Sequence, residues 1–139
     1  MNGDPRSRLG AKGERLARRH LEARGFEILD ANFRTRHGEL DLVAADERHL
    51  VFCEVKTRIV DRQGGELGPF DEFGPFAAIG ARKRRQVRLM AREWLTEHAA
   101  GGSRWPPGQC APELRFDAVG ISYDRAGRLL RLEHLEGAF

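Results

Sequence analysis

Residues 38–58 read GELDLVAADERHLVFCEVKTR, and this stretch limits the folds that the chain can adopt. Two short apolar runs, each alternating with polar side chains, flank a polar triplet at residues 46–48. Alternation with a period of two is typical of strands, and the polar triplet is typical of a tight turn. The stretch therefore predicts a β-hairpin.

Charged side chains interrupt the apolar faces of this hairpin. In its second strand, Glu54 and Lys56 continue a face that begins with Leu50 and Phe52. A charged group on a partly buried surface is costly unless it is paired or binds a metal, so these charges indicate a function. Strict alternation divides the first strand into two predicted faces. One face carries Glu39, Asp41 and Val43, and the other carries Leu40, Leu42 and Ala44.

Composition limits the class of protein. A chain of 139 residues is predicted to form a single domain over residues 1–139. Its 24 basic and 21 acidic side chains give a net charge of +3, which mildly favours a polyanionic partner. No apolar run reaches transmembrane length, so no membrane association is expected. The N-terminus lacks the apolar segment of a secretory signal, and two cysteines make no disulfide framework, so a cytoplasmic location is predicted.

Helices and strands are predicted on both sides of the hairpin. Apolar residues recur at helical spacing before Gly25, a residue suited to the position after a helix end. Helix, three strands, helix and two strands in that order predict an α/β domain with a mixed central sheet flanked by helices. The predicted elements are a helix at 7–24, a strand at 26–36, the hairpin at 38–58, a helix at 82–97, and strands at 114–122 and 129–135.

Asp41, followed by a hydrophobic hairpin and then Glu54-Val55-Lys56, resembles the D…ExK core of the PD-(D/E)XK nuclease superfamily. The wider context is similar to the YraN-type bacterial family, itself similar to archaeal Holliday junction resolvases. The similarity extends to GAKGERLARRHLEARGFEILDANFR upstream and to RFDAVGI and HLEGAF downstream. The resemblance implies a restriction-endonuclease-like fold, with about five strands in the order α-β-β-β-α-β-β.

The resemblance also implies an activity, namely metal-dependent hydrolysis of DNA phosphodiester bonds, with branched DNA among the candidate substrates. Asp41, Glu54 and Lys56 would be catalytic. Asp41, Glu54, the Val55 carbonyl and Glu14 would hold Mg²⁺ or Mn²⁺. By analogy with resolvases, which cut two strands symmetrically, a homodimer is expected.

Each of these assignments has a simpler alternative. Glu14 could be a solvated helix carboxylate that pairs with Arg18. Lys56 could pair with Glu54 or Asp41 on a wet sheet face. For the whole chain, the alternative is a nucleic-acid-binding module in which the nuclease site is unused.

The second predicted helix begins with six cationic residues and no acid. Arg84, Arg88 and Arg92 follow one another at intervals of four, a spacing at which like charges destabilise a helix by roughly 0.2–0.5 kcal/mol per pair. A row of one sign favours contact with a phosphate backbone, although a solubilising basic face is the alternative. Arg34 and Arg36 could equally form a solvated turn. The predicted nucleic-acid contacts are Arg34, Arg36, Arg58, Lys83, Arg84, Arg88 and Arg92.

Four further interpretations concern single residues or segments. His20, on an apolar stripe, is predicted to be packed and hydrogen-bonded, and Asp117 is predicted to be structural, tying the last strands to the hairpin. Lys83 or Gln86 is predicted to reach the active site, as similar residues do in related nucleases. The phenylalanines of the glycine-rich segment 59–80 could stack on bases, but packing against the body or a dimer partner is preferred.

Overall fold

The computed structural model describes residues 5–60, 80–99 and 112–139, which include two helices and five strands. Phe70, Phe73 and Phe76, for which stacking or packing was predicted, therefore lie outside the described residues, and so does Cys110. The observed elements are α1 (Pro5–Ala23), β1 (Glu27–Thr35), β2 (Gly38–Ala45), β3 (His49–Ile59), α2 (Ala81–Ala99), β4 (Glu113–Tyr123) and β5 (Leu129–Leu135). The predicted order α-β-β-β-α-β-β is confirmed.

The five strands form one sheet in the order β1-β2-β3-β4-β5. Neighbouring strands run antiparallel except β3 and β4, which run parallel. A parallel pair needs a long crossover connection, and here that connection contains α2. The predicted α/β architecture with a mixed sheet is thus present, and it is consistent with a restriction-endonuclease-like fold.

The two helices pack on opposite faces of the sheet. Ala17 and Leu21 of α1 join a buried cluster that includes Val51 of β3. Met90 and Trp94 of α2 join a second buried cluster, which includes Leu50 and Phe52 of β3. Because side chains alternate along a strand, residues 50 and 52 point away from residue 51. Within the described residues, neither helix is long and apolar enough to cross a membrane.

Strand β2 does not alternate as strictly as its sequence predicts. Leu40 packs with the α2 cluster, whereas Leu42 packs with the α1 cluster. Asn32 lies between the register pairs Ala31–Leu42 and Phe33–Leu40 of β1 and β2, and its φ is 54°. Asn tolerates this left-handed conformation better than most residues, and such a residue interrupts strand alternation.

The predicted face shared by Asp41 and Val43 is therefore wrong. Val43 packs beneath α2, whereas Asp41 lies beside Glu14 of α1. The prediction that Leu40 shares a face with Leu42 and Ala44 is wrong for the same reason. This change of face brings Asp41 to the side of the sheet on which Glu14 of α1 lies.

Asp117 of β4 is fully buried and is the centre of a polar network. Arg115 Nε and Nη2 donate hydrogen bonds to its carboxylate, as do His134 Nε2 over 2.7 Å and the Gly137 amide. His20 Nε2 lies 3.0 Å from His134 Nδ1, which confirms that His20 is packed and hydrogen-bonded. The structural role of Asp117 is confirmed, but it ties β4 to β5 and the following residues rather than to the hairpin.

Candidate active site

Asp41 is joined directly to the Glu54-Val55-Lys56 segment. The backbone pairs of β2 and β3 run from Ala45 and Leu50 to Leu42 and Cys53, where the ladder ends. Beyond this end, the Val55 amide, two residues after Cys53, donates a 2.8 Å hydrogen bond to Asp41 Oδ2. The Asp41 side chain thus satisfies a backbone donor beyond the ladder, and this contact brings the two halves of the D…ExK pattern together.

Burial raises the pKa of Asp41 to about 6, against a smaller opposing effect of the Val55 hydrogen bond. The negative charges of Glu54 and Glu14 raise it further. Because this folded-state pKa exceeds the unfolded one, ionising Asp41 costs folding stability progressively as the pH rises from about 4 to about 6. A positive charge beside Asp41 would offset that cost, so this carboxylate suits a bound cation.

Three carboxylates converge at this position. Glu14, Glu39 and Asp41 each offer an oxygen within 4.8 Å of the others. Glu14 is brought in by a close approach of α1 to β3, since a Cβ added at Gly13 would lie 2.4 Å from Thr57 Cγ2. Oxygen ligands of this kind suit Mg²⁺ and Mn²⁺, so the three residues could hold such an ion.

Glu39 is a candidate ligand that the sequence reasoning missed. Its position two residues before Asp41 placed both on one predicted face, and this was the signal that could have identified it. The structure also places Glu14 beside Asp41. A role for Glu14 as a metal ligand predicts this position.

Glu54 is held by two lysines instead. Its Oε1 atom lies 3.0 Å from Lys56 Nζ and 2.8 Å from Lys83 Nζ, and its side chain is 13% exposed. Lys56 comes from the same strand, whereas Lys83 reaches across from the first turns of α2. The site therefore has an acidic part, formed by Glu14, Glu39 and Asp41, and a lysine part around Glu54.

Sequence comparison places these residues in a known family. The family model described as "Uncharacterised protein family UPF0102" matches residues 13–121, a range that contains both parts of the site. The chain belongs to the UPF0102 family. The YraN-type assignment predicted from the sequence is confirmed, and the family is PD-(D/E)XK nuclease-like.

Individual UPF0102 relatives resemble the chain over nearly its full length. A UPF0102 protein of Frankia casuarinae is 43% identical over 131 residues, covering 94% of this chain and 95% of the relative. One from Pelotomaculum thermopropionicum is 42% identical over 136 residues and covers 98% of each chain. One from Rhodococcus opacus is 42% identical over 131 residues, covering 94% of this chain and 95% of the relative.

In this UPF0102 member, hydrogen bonds and ion pairs connect the turn between β1 and β2 to α2. Gln86 donates a hydrogen bond to the His37 carbonyl, so it supports the turn, whereas Lys83 is the residue that contacts Glu54. Arg36 Nε lies 3.2 Å from Glu93 Oε1, and His37 Nε2 lies 3.6 Å from the same atom. The turn beside the acidic part is thereby held in place.

The arginines predicted to contact nucleic acid differ in exposure and in their partners within the protein. Arg34, 89% exposed, pairs with Glu39 at 3.6 Å, and Arg36 is 83% exposed. Exposed ion pairs contribute at most about 1 kcal/mol, so a phosphate could replace either carboxylate partner. Arg58 differs, since its Nε donates a 2.8 Å hydrogen bond to Ser122 Oγ.

The arginine row of α2 lies on the exposed side of the helix and extends away from the site. Arg84 directly follows Lys83, and Arg92 is eight positions further along, a rise of about 12 Å. The Arg88 guanidinium lies 5.9 Å from the centre of the Phe116 ring. These three arginines are thus candidates for contacts with the flanking backbone of a substrate, not with its reacting phosphate.

Proposed function

We propose that this chain is a divalent-metal-dependent endonuclease that hydrolyses phosphodiester bonds in DNA, with branched DNA among its candidate substrates. The observation that carries the proposal is the convergence of three carboxylates from α1 and β2 beside a carboxylate and two lysines. Negative and positive groups placed side by side suit a cation and the phosphate that it neutralises.

The donor set fits a hard cation such as Mg²⁺ or Mn²⁺. Asp41, Glu14 and Glu39 would hold it, with Glu54 and the Val55 carbonyl completing the set. Such an ion supplies an activated water and neutralises charge on the phosphate. Four carboxylates are more than Mg²⁺ commonly uses, since it usually retains several waters, so some of these contacts would run through water.

The protein side chains supply positioning and charge. Lys56 orients the attacking water and stabilises the negative charge that develops on the phosphate. The arginine row of α2 binds the flanking backbone, while Arg34 and Arg36 exchange their carboxylate partners for phosphates. Symmetric cutting of a branched substrate would require two copies of the site, so the chain would act as a homodimer.

Metal binding tests the acidic part directly. Wild type is expected to bind Mn²⁺, and Asp41→Ala is expected to weaken that binding by more than about tenfold, since even outer-shell partners of a metal contribute that much. Titration calorimetry measures both proteins. Glu47→Ala, which removes an exposed carboxylate in the β2–β3 turn, is the matched control. Equal binding by wild type and Asp41→Ala would overturn the site assignment.

The arginine row is tested by the salt dependence of DNA binding. Replacing Arg84, Arg88 and Arg92 with Gln is expected to weaken binding to all sequences alike. Each lost phosphate contact should reduce the slope of log K against log salt by about 0.9 on duplex DNA. The control replaces three exposed arginines of α1, Arg15, Arg18 and Arg19, and so removes the same charge. An equal loss of slope in both triple variants would mean that the arginine row acts only through the net charge of the chain.

The second candidate function is a nucleic-acid-binding module without cleavage. The observation that favours it is the pairing of Glu54 with two lysines, which needs no metal. A cleavage screen over junctions, flaps and duplexes with Mg²⁺ and with Mn²⁺ separates the two functions. Binding without cleavage of any substrate would favour the module.

A further inference from the structure

Two ammonium groups, those of Lys56 and Lys83, contact the single negative charge of Glu54. Lys56 alone would neutralise its carboxylate, yet Lys83 Nζ lies even closer to the same oxygen. The group formed by Glu54, Lys56 and Lys83 thus carries one net positive charge when all three are ionised. Without a metal, this net positive charge lies beside the three carboxylates of the acidic part and offsets some of their negative charge.

We propose that Lys83 competes with the metal ion for Glu54 and, once displaced, becomes a ligand for a substrate phosphate. This inference rests on the proposed function. Without metal, Lys83 holds Glu54 and keeps its carboxylate neutralised. When a divalent cation binds near Glu54, the ammonium is repelled from that oxygen and is available to an anion.

Position distinguishes Lys83 from Lys56 in this role. Lys56 lies two residues from Glu54 on the same strand, so the strand itself keeps the two side chains adjacent. Lys83 belongs to another element, and its side chain is 31% exposed. It directly precedes Arg84, the first member of the arginine row, so a displaced Lys83 ammonium would lie at the end of a proposed phosphate track.

Mn²⁺ affinity in the absence of DNA provides the test. Lys83→Gln is expected to bind Mn²⁺ about tenfold more tightly than wild type, because it removes a competing cation from Glu54. Lys83→Arg keeps the charge and is expected to remain close to wild type. Arg85→Gln removes the same charge from an exposed position on the same helix, and it should also remain close to wild type.

DNA affinity in the presence of Mn²⁺, measured with phosphorothioate DNA that resists cleavage, provides the second readout, because Lys83 is proposed to reach a phosphate only after the metal displaces it. Lys83→Gln should bind DNA several-fold more weakly than wild type, whereas Lys83→Arg should not. Melting temperatures check that each variant is folded, and Lys83→Met provides a second neutral variant with the same expectation if the Gln variant is unstable.

The outcomes separate this inference from the function on which it rests. Equal or weaker Mn²⁺ binding by the folded neutral variants, with wild type still binding, would overturn the role of Lys83 alone. Tighter binding by Arg85→Gln to the same extent would also overturn it, since the effect would then come from net charge. A wild type that binds no Mn²⁺ would overturn the proposed function and this inference together.

Discussion

A chain carrying both Asp41→Asn and Glu54→Gln is expected to lose DNA cleavage by at least about a hundredfold, yet to bind DNA in EDTA as tightly as wild type or more tightly. The two replacements keep the shapes of the side chains and remove two negative charges. At roughly 5 Å and an effective dielectric near 20, each carboxylate–phosphate repulsion is worth about 3 kcal/mol before screening. Salt reduces that repulsion without changing its sign.

Filter binding or fluorescence anisotropy in EDTA measures the affinity, and a cleavage assay with Mg²⁺ measures the activity. The Asn side chain retains an oxygen that can accept the Val55 amide hydrogen bond, so the hairpin should remain intact. Lys56→Ala is the contrasting variant, because it should also lose cleavage but keep metal binding and bind DNA slightly less well. Weaker DNA binding by the folded double variant in EDTA would mean that the phosphate does not lie beside these carboxylates.

Asp117→Ala is expected to reduce the free energy of unfolding by about 3–5 kcal/mol, the usual cost of removing one partner of a buried ion pair. The fully buried Asp117 carboxylate accepts hydrogen bonds from Arg115, His134 and the Gly137 amide. Its removal leaves the buried His134 imidazole without this acceptor and leaves Arg115 with the more distant Glu136 carboxylate, 3.7 Å away. Since a domain of ordinary stability has only about 5–15 kcal/mol in total, the variant should lose a large share of its stability.

Urea denaturation with Glu47→Ala as the control measures this loss, and the control should stay within about 0.5 kcal/mol of wild type. Burial alone would raise the pKa of Asp117, but hydrogen bonds from His134 and Arg115 hold it below its usual value. The stabilisation is therefore present at neutral pH and is lost as the pH falls below about 4 towards the folded-state pKa. A loss under about 1 kcal/mol at pH 7 would contradict the proposed importance of the network.

The order of elements could be predicted because each one has a strong local pattern. Alternation identified β2 and β3, and the observed β4, Glu113–Tyr123, differs from its predicted range by one residue at each end. Local patterns could not predict the change of face in β2. The change occurs beside Asn32 of the neighbouring strand, and no hydrophobic period encodes the left-handed conformation of that residue.

The site was predicted less completely than the fold. Asp41, Glu54 and Lys56 are marked by charges in an apolar hairpin, but the contact between Lys83 and Glu54 depends on how α2 docks onto the sheet. The pairing of Arg36 with Glu93 likewise joins residues that are far apart in the sequence. Such contacts follow from tertiary packing, so only the resemblance pointed towards Lys83.

The hydrogen bond from the Val55 amide to Asp41 Oδ2 also has an evolutionary consequence. Asparagine at position 41 would retain an oxygen for that amide and would lose only the charge. A lineage could therefore lose the proposed activity in one substitution and keep the hairpin folded, whereas alanine would also leave the Val55 amide without this acceptor. A relative that keeps this fold therefore need not keep the proposed activity. The residue at position 41 is a better indicator of that activity than the fold is.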